Sequence, residues 1–599
     1  MPSYKTPQED ISFVLHEVLN AEQLNDLPGY EGMADRDTMD AIIEAAGKMA
    51  EEVLQPLNLP ADAEGCHYEN GIVRTPKGFK EAYDQWVEGG WTSLSAEEDY
   101  GGSGMPHLYK FVLDEIVSAA NTSFGMYPGL THGAVEAMQA HASEELKQRF
   151  LPKMIDGSWG GTMCLTEAQC GTDLGLIRTK AVPREDGDGY DISGQKIFIS
   201  AGEHDLTENI IHLVLAKLPD APEGVRGISL FVVPKIKVSE DGSELGARNG
   251  VSCGSIEHKM GIKASATCVM NFDEAQGWLV GEAHKGLRAM FVMMNAARLS
   301  VGMQGLGLAE VAYQNAVDYA VDRVQGRSLT GTKAKDKAAD PIIVHPDVRK
   351  NLMTAKAFNE GARALAYWTG IQIDTYSKHA DPKVRQEAED LVALLTPVIK
   401  GYFTDMATST AIMQQQVYGG HGYIHEWGME QFVRDARITQ IYEGANGIQA
   451  LDLVGRKMPA HFGRYLRRFF HPVQKFIEDN MNNPELATML FPFAKAFGKL
   501  QQSTALIAQK GMKNPDEAGA ASTDYMRMFG LVALGYMWLQ MVQVAMEKKP
   551  DANGRAKFYD GKIKTAQFFF DKMLPETDAL FKTIMAGGDT LMALDEDQF

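Results

Sequence analysis

Between Arg434 and Lys457 the chain reads RDARITQIYEGANGIQALDLVGRK, placing one carboxylate, Glu443, among Ile438, Ile441, Tyr442, Ala445 and Ile448. A carboxylate with apolar and small neighbours is poorly solvated when charged, which raises its proton affinity. Tuned in that way, it can take a weakly acidic C–H proton near neutral pH. Glu-Gly-Ala-Asn also reads as a turn ahead of the IQALDLVGRK helix, so the same residue could do no more than cap that helix. Taken alone, the residues leave base and cap equally open.

What must position such a group is large. The chain has 599 residues, 45% of them hydrophobic, enough for several cores and three or four domains. A net charge of −21 argues against a nucleic-acid backbone as the main partner, because that affinity comes from clustered Lys and Arg. Cys66, Cys164, Cys170, Cys253 and Cys268 are odd in number and lack CxxC spacing, which points away from a disulfide framework or a zinc site and toward a cytoplasmic setting. The N-terminus has no basic region followed by an unbroken apolar core, so no secretory signal is expected. Met528 to Met546 carries no charge, but Gln540 and Gln543, with Arg527 and Glu547 at its flanks, favour a buried helix over an integral membrane span.

Periodicity sets the order of the parts. Residues 1–160 repeat at three and four and are expected to be all α; residues 161–283 switch to period two in YDISGQKIFIS, NIIHLVLAKL, GISLFVVPKI and ATCVMNFDEA, a small antiparallel β domain. Helical spacing returns over 284–457, where Gly302, Gly305 and Gly307 would let helices approach closely, and 458–599 is a further helical domain. The fold class is multi-domain α+β. Ser328 to His345, with Lys333, Lys335 and Lys337, reads as an exposed flexible loop.

There is no GxGxxG after a strand, and no P-loop, HExxH or GxSxG, so any dinucleotide must be held by another architecture. GTMCLTEAQCGTDLG (Gly161 to Gly175) offers hydroxyls and backbone amides in a tight loop, although by itself an ordinary polar turn would explain it. GQKIFISAGEHDL follows at Gly194, and HKMGIKASATCVMNFD closes the β region. In the helical part stand DRVQGRSL and QQQVYGGHGY.

In this order, these blocks and the Tyr-Glu-Gly of the opening segment resemble the acyl-CoA dehydrogenase family over about residues 40 to 456. The C-terminal extension, YPGLTHGA and GRSLTG resemble its long bacterial subgroup. The resemblance implies that family's fold: an N-terminal helical domain, a middle β-barrel-like domain and a C-terminal helical bundle, here with an additional helical domain. It implies FAD, with Met163, Leu165 and Thr166 lining the flavin ring and Gly171 and Thr172 toward its pyrophosphate. Phe198 and Ser200 stand on the ring's far face, where the family more often has Trp and Thr; Phe198 has no indole N–H and is assigned to packing only. Ala168-Gln169-Cys170 stands where Pro-Gly-Ala is usual. Arg323, Gln325, Gln416, Gly419 and Gly420 match positions that reach the FAD of a neighbouring subunit, which implies a homodimer. Arg298, Thr172 and Gly444 fall at substrate positions, although a buried ion pair would explain Arg298 equally well.

The same resemblance makes Glu443 the base that takes the α-proton of an acyl-CoA while flavin N5 accepts the β-hydride, giving a trans-2-enoyl-CoA. Electron-transferring flavoprotein is then the expected acceptor, and an acyl-CoA oxidase using oxygen is the rival. Straight-chain fatty acyl-CoA and 3-methylmercaptopropionyl-CoA are the alternative substrates. A DNA-associated flavoprotein would need a basic face; Arg464, Arg467 and Arg468 beside Tyr465, Phe469 and Phe470 could also suit a membrane surface, but are better read as a helix end that anchors the last domain. His132, His421 and His425 lack the carboxylate or cysteine spacing of a metal site.

Overall fold

A computed structural model describes residues 2–551 and 554–599. Contacts divide the chain into two compact units. One comprises Met1–Gly47, Pro106–Ala119 and Val301–Phe599; the other comprises Lys48–Met105 and Ala120–Ser300.

The second unit is built on β strands. A hairpin of β1 (His67–Glu69) and β2 (Ile72–Arg74) interrupts the stretch expected to be all α. Its cause is local: Asn70 and Gly71 have φ of 51° and 82°, the left-handed pair of a two-residue hairpin turn. The remaining strands are β3 (Trp159–Cys164), β4 (Lys180–Pro183), β5 (Tyr190–Ser200), β6 (Asn209–Lys217), β7 (Ile228–Pro234), β8 (Ile236–Val238), β9 (Leu245–Arg248), β10 (Val251–Ile256) and β11 (Thr267–Val280). The main sheet runs β10-β11-β5-β4-β6-β3, and β7 pairs with both β11 and β6, so β11, β5, β4, β6 and β7 close on themselves.

The sheet is mixed, not antiparallel throughout. β3 pairs with β6 in parallel from Trp159↔Asn209 to Cys164↔Val214, because the chain travels through β4 and β5 before β6 returns beside β3. β6 and β7 are buried on both faces: Leu213, Leu215, Leu230 and Val232 join one core with Phe150 and Met154, while Val214, Ala216, Phe231 and Val233 join another with Ile192 and Met270. That double burial is why their sequences run apolar without strict alternation.

The first unit is helical. In the Gly286–Asp322 helix, a Cβ at Gly302 would stand 2.5 Å from Ile399 and one at Gly307 would stand 2.6 Å from the Ala119 backbone, so close helix approach accounts for both glycines. Arg363 on the Pro346–Lys378 helix donates to Glu115 (2.8 Å), which also accepts from Tyr367 (2.6 Å), a fully buried pair with its hydrogen bonds supplied. The apolar stretch near Met528 lies on the Pro515–Lys548 helix, and its most apolar window is 83% buried. Trp538 of that helix donates to the Ala357 carbonyl at 3.0 Å, so its hydrophobicity goes into core packing.

Arg464 and Arg468 turn inward to Asp390 at 2.7 and 3.4 Å, while Phe469 is buried against Phe529. The basic cluster therefore anchors its helix to the Pro382–Val417 helix.

The segment after Arg323 is not the loose loop its composition suggests. Asp340 is buried; its carboxylate accepts the backbone N–H groups of Ser328, Lys333 and Ala334, and the Arg327 guanidinium. These donors hold its acidity at about 2. Arg327 also donates to the carbonyls of Ala334, Lys337 and Ala338, so carboxylate and guanidinium close the loop together.

Candidate active site

The helical unit carries the expected base. Glu443 lies in a turn between the Met429–Thr439 helix and the short Asn446–Asp452 helix, with φ of 55°, followed by Gly444 at 85°. A non-glycine residue in this region is strained and marks a functional candidate. The helix-cap alternative fails, because the N-cap position of Asn446–Asp452 is Ala445.

The surroundings of Glu443 are more polar than the apolar, small-residue setting expected. Glu443 is half-buried and Ile441 is 49% exposed; behind the turn lies a polar bracket. Lys400, fully buried on the Pro382–Val417 helix, donates to the Gly444 carbonyl (2.7 Å) and to Asn446 Oδ1 (2.8 Å). Gln449 Nε2 donates to the carbonyls of Glu443 (3.2 Å) and Gly444 (3.3 Å). The Tyr442 hydroxyl donates to Gln304, and burial together with the charge of Glu443 pushes the Tyr442 pKa up. Sequence reasoning missed Lys400 and Gln449. The available signal was the lone cation inside the apolar run ALLTPVIKGYF.

A second group forms at the surface of the same unit. Tyr319 stacks on Tyr418 at 4.0 Å and bonds His421 Nδ1 at 2.8 Å. These contacts bring the end of the Gly286–Asp322 helix, with exposed Arg323 and Gln325, beside exposed Gln416, Gly419 and Gly420. A Cβ at Gly420 would meet nothing within 4 Å, so nothing in the chain itself demands a glycine there. Close approach of a bound group would.

In the β unit, Met163 is on β3, Leu165, Thr166, Gly171 and Thr172 follow it, and Phe198 and Ser200 are on β5. Glu167 and Cys170 exchange backbone hydrogen bonds of 2.9 and 3.0 Å, so Ala168-Gln169 is a closed two-residue turn. Phe198 is 59% exposed with φ of 59°, at a bulge where Cys268↔Ile199 gives way to Met270↔Lys196. The Ile197 N–H leaves the ladder for the Thr166 carbonyl (2.9 Å), tying the bulge to the loop.

Beneath lies a buried pair: Lys196 Nζ donates to Glu167 (2.8 Å) and to the Leu165 carbonyl (3.0 Å), and Glu167 also accepts from Thr179 Oγ1 (2.6 Å) and Arg178 N–H (2.7 Å). Burial works to raise the Glu167 carboxyl, but Lys196 and these donors override it and hold it down at about 2. Burial lowers Lys196 despite its partner. Arg298 is buried near the end of this unit, where it donates to Asn295 (3.3 Å) with Phe291 alongside. Gly171 and Thr172 are exposed.

Protein-family models for the acyl-CoA dehydrogenase N-terminal, middle and C-terminal domains match residues 36–158, 162–275 and 284–458, and a model described as acetyl-CoA dehydrogenase C-terminal like matches 469–595. Over 98% of its length the chain is 43% identical to 99% of the 3-methylmercaptopropionyl-CoA dehydrogenase of Ruegeria pomeroyi. The chain belongs to the acyl-CoA dehydrogenase family.

It is also 34% identical to a butyryl-CoA dehydrogenase of Syntrophomonas wolfei, covering 100% of this chain and 99% of that one. The fold matches Caenorhabditis elegans ACDH-11, solved in complex with C11-CoA, at a TM-score of 0.78 and 19% identity, over 99% of this chain and 95% of the other. The family is FAD-dependent and oxidises a CH–CH bond of an acyl-CoA. The residues described above suit that cofactor: an exposed aromatic face at Phe198, hydroxyls at Thr166, Thr172 and Ser200, an exposed guanidinium at Arg323, and side-chain-free backbone at Gly419 and Gly420.

Proposed function

We propose that Glu443 is the base that removes the α-proton of the acyl thioester, with its own backbone N–H and Gly444 facing the thioester carbonyl. The observation that carries this reading is the left-handed Glu443-Gly444 turn, clamped from behind by Lys400 and Gln449. Holding the turn at two carbonyls fixes the backbone from which the carboxylate extends, and fixed orientation of reacting groups supplies roughly 7–11 kcal/mol in favourable cases. FAD, when bound, supplies the acceptor for the β-hydride. Phe198 packs on the flavin ring, Met163, Leu165, Thr166 and Ser200 line it, and Gly171 and Thr172 serve its pyrophosphate. Arg323, Gln325, Gln416, Gly419 and Gly420 hold the FAD of a second copy in a homodimer, and Arg298 borders the CoA channel.

In this reading the enzyme works in the cytoplasm, in fatty-acid β-oxidation, and passes its electrons to electron-transferring flavoprotein. The 43% identity to a 3-methylmercaptopropionyl-CoA dehydrogenase supports a second substrate, the thioether acyl-CoA. The two differ by little: that acyl group is isosteric with pentanoyl, one sulfur replacing one methylene. Anaerobic mixing with a panel from butanoyl- to dodecanoyl-CoA plus the thioether should bleach the flavin. A preference for the thioether over pentanoyl-CoA selects the sulfur substrate, and protein that stays yellow with every acyl thioester removes the reading. Slow reoxidation in air supports the flavoprotein acceptor; fast reoxidation makes the chain an oxidase.

A further inference from the structure

We infer that Lys400 is a positioning residue for catalysis: its ammonium fixes the turn that carries the base. The inference rests on the assignment of Glu443 as that base.

A lysine with no exposed surface is costly, because burial removes the hydration of its charge, and such a lysine persists where oxygens replace the lost water. Here the replacements include the Gly444 carbonyl and Asn446 Oδ1, at 2.7 and 2.8 Å, distances of charge-assisted hydrogen bonds. Both acceptors belong to the turn of the base. Asn446 is gripped in turn by the same helix, its two side-chain N–H bonds shared among Gly401 O (3.0 Å), Thr404 Oγ1 (2.9 Å) and Asp405 Oδ1 (2.7 Å). Gln440, just before the turn, donates to the same Asp405 oxygen at 2.7 Å, and the Asn446 N–H closes on the Gln440 carbonyl at 3.0 Å. Residues 400–405 thus clasp the chain on both sides of Glu443, with Lys400 set on the strained peptide between them.

The helix is backed by the extension. A Cβ on Gly401 would come within 2.4 Å of Met526 Sδ, and one on Gly530 within 2.3 Å of the Tyr402 ring, so the Pro515–Lys548 helix lies hard against the residues that follow Lys400. Removing the ammonium leaves the Gly444 carbonyl and Asn446 Oδ1 without their strongest donor and lets the left-handed peptides relax, which moves the carboxylate away from the reacting C–H.

The test uses the FAD-loaded enzyme and straight-chain acyl-CoA. Lys400→Met should keep its FAD, lower the saturating rate of flavin bleaching by on the order of 10²-fold with KM within about threefold, and raise the isotope effect with α-deuterated substrate, since a displaced base makes C–H cleavage more rate-limiting. Gln449→Met, which removes a donor to the Glu443 and Gly444 carbonyls, should show the same split more weakly. A folded Lys400→Met enzyme with the parent rate overturns the inference, as does a loss shared by FAD content and KM with an unchanged isotope effect. If Lys400→Met does not fold, Gln449→Met decides by the same split. Glu443→Gln, measured alongside, separates the two failures: substantial turnover there removes the base itself, whereas its near-complete loss beside an active Lys400→Met removes only Lys400.

Discussion

Glu443 in the helical unit and Phe198 in the β unit share a backbone oddity, φ of 55° and 59° in residues that are not glycine, but they are held there by different means. The Glu443 turn leans on side chains: Lys400, Gln449 and Asn446 bond it, beside the backbone bond from the Asn446 N–H to the Gln440 carbonyl. Phe198 hangs on backbone, with the β5–β11 ladder resuming on each side of the bulge and Ile197 bonded to Thr166 O. A pose held by side chains can be undone one residue at a time. One held by a ladder survives loss of its own ring.

The sharpest break in this comparison is Glu443→Gln. The amide keeps the size and the turn but cannot accept a proton, so turnover should fall by about 10²–10⁴-fold while FAD content and melting temperature stay near the parent values. Steady-state assay with flavin absorbance checks it; retention of more than about a tenth of the rate would put the base elsewhere.

Next is Lys196→Met, which asks whether the bulge stands on its ladder alone. It leaves Glu167 charged and buried without its cation, and should cost about 3–5 kcal/mol in urea unfolding; Lys196→Met with Glu167→Met should recover most of that. The pH sign follows from Glu167: its folded value of about 2 lies below the ordinary 4.5, so its contribution is complete above pH 4.5 and is lost as pH falls toward 2. The double variant should therefore lose part of the parent's acid sensitivity over that window. A full-strength ladder in Lys196→Met, seen as unchanged unfolding, would show that the buried pair contributes nothing to the bulge.

Much of this was legible in residues. Periodicities of three to four and of two marked where helices give way to strands, and Gln540 and Gln543, with Arg527 and Glu547 at the flanks, pointed to a buried helix where the Pro515–Lys548 helix has an 83% buried apolar window. The Tyr-Glu-Gly block located the carboxylate. What was not legible depends on partners distant in sequence. The parallel β3–β6 pairing needs the path of the chain, and double burial hides the alternation of β6 and β7. Lys400 meets Gly444 across 44 positions, and Lys196 meets Glu167 across 29. The β1–β2 hairpin is different: its Asn-Gly turn was in plain sight, outweighed by the helical pattern around it.

The Asp340 loop is likewise tied by side chains, with Asp340 at its centre and Arg327 donating to the carbonyls of Ala334, Lys337 and Ala338. Asp340→Asn removes a charge that accepts three backbone N–H groups and Arg327, so the Ser328–Asp340 segment should open while the helices around it persist. Limited trypsin digestion should cut after Lys333, Lys335 or Lys337 about tenfold faster, with the overall melting temperature little changed, since local opening and global unfolding are separate equilibria. Equal digestion rates would mean that the loop is held by its backbone, as Phe198 is.

The smallest effect isolates strain from chemistry at Phe198. Its ring is largely exposed, so little packing is lost on truncation, and a left-handed non-glycine residue costs roughly 1–2 kcal/mol. Phe198→Ala keeps that cost and removes the ring; Phe198→Gly removes both, although glycine returns about 0.4–1 kcal/mol through the freedom of its unfolded chain. In the apo-protein, Phe198→Gly should therefore be more stable than Phe198→Ala, by up to about 1.5 kcal/mol in urea, while both variants bind FAD more weakly than the parent to a similar degree. If the alanine variant is the more stable of the two, the bulge is not strained and its backbone is free to carry any residue. If FAD binds all three proteins equally, the exposed ring has some purpose other than the flavin, and the resemblance between the two left-handed residues is one of geometry alone.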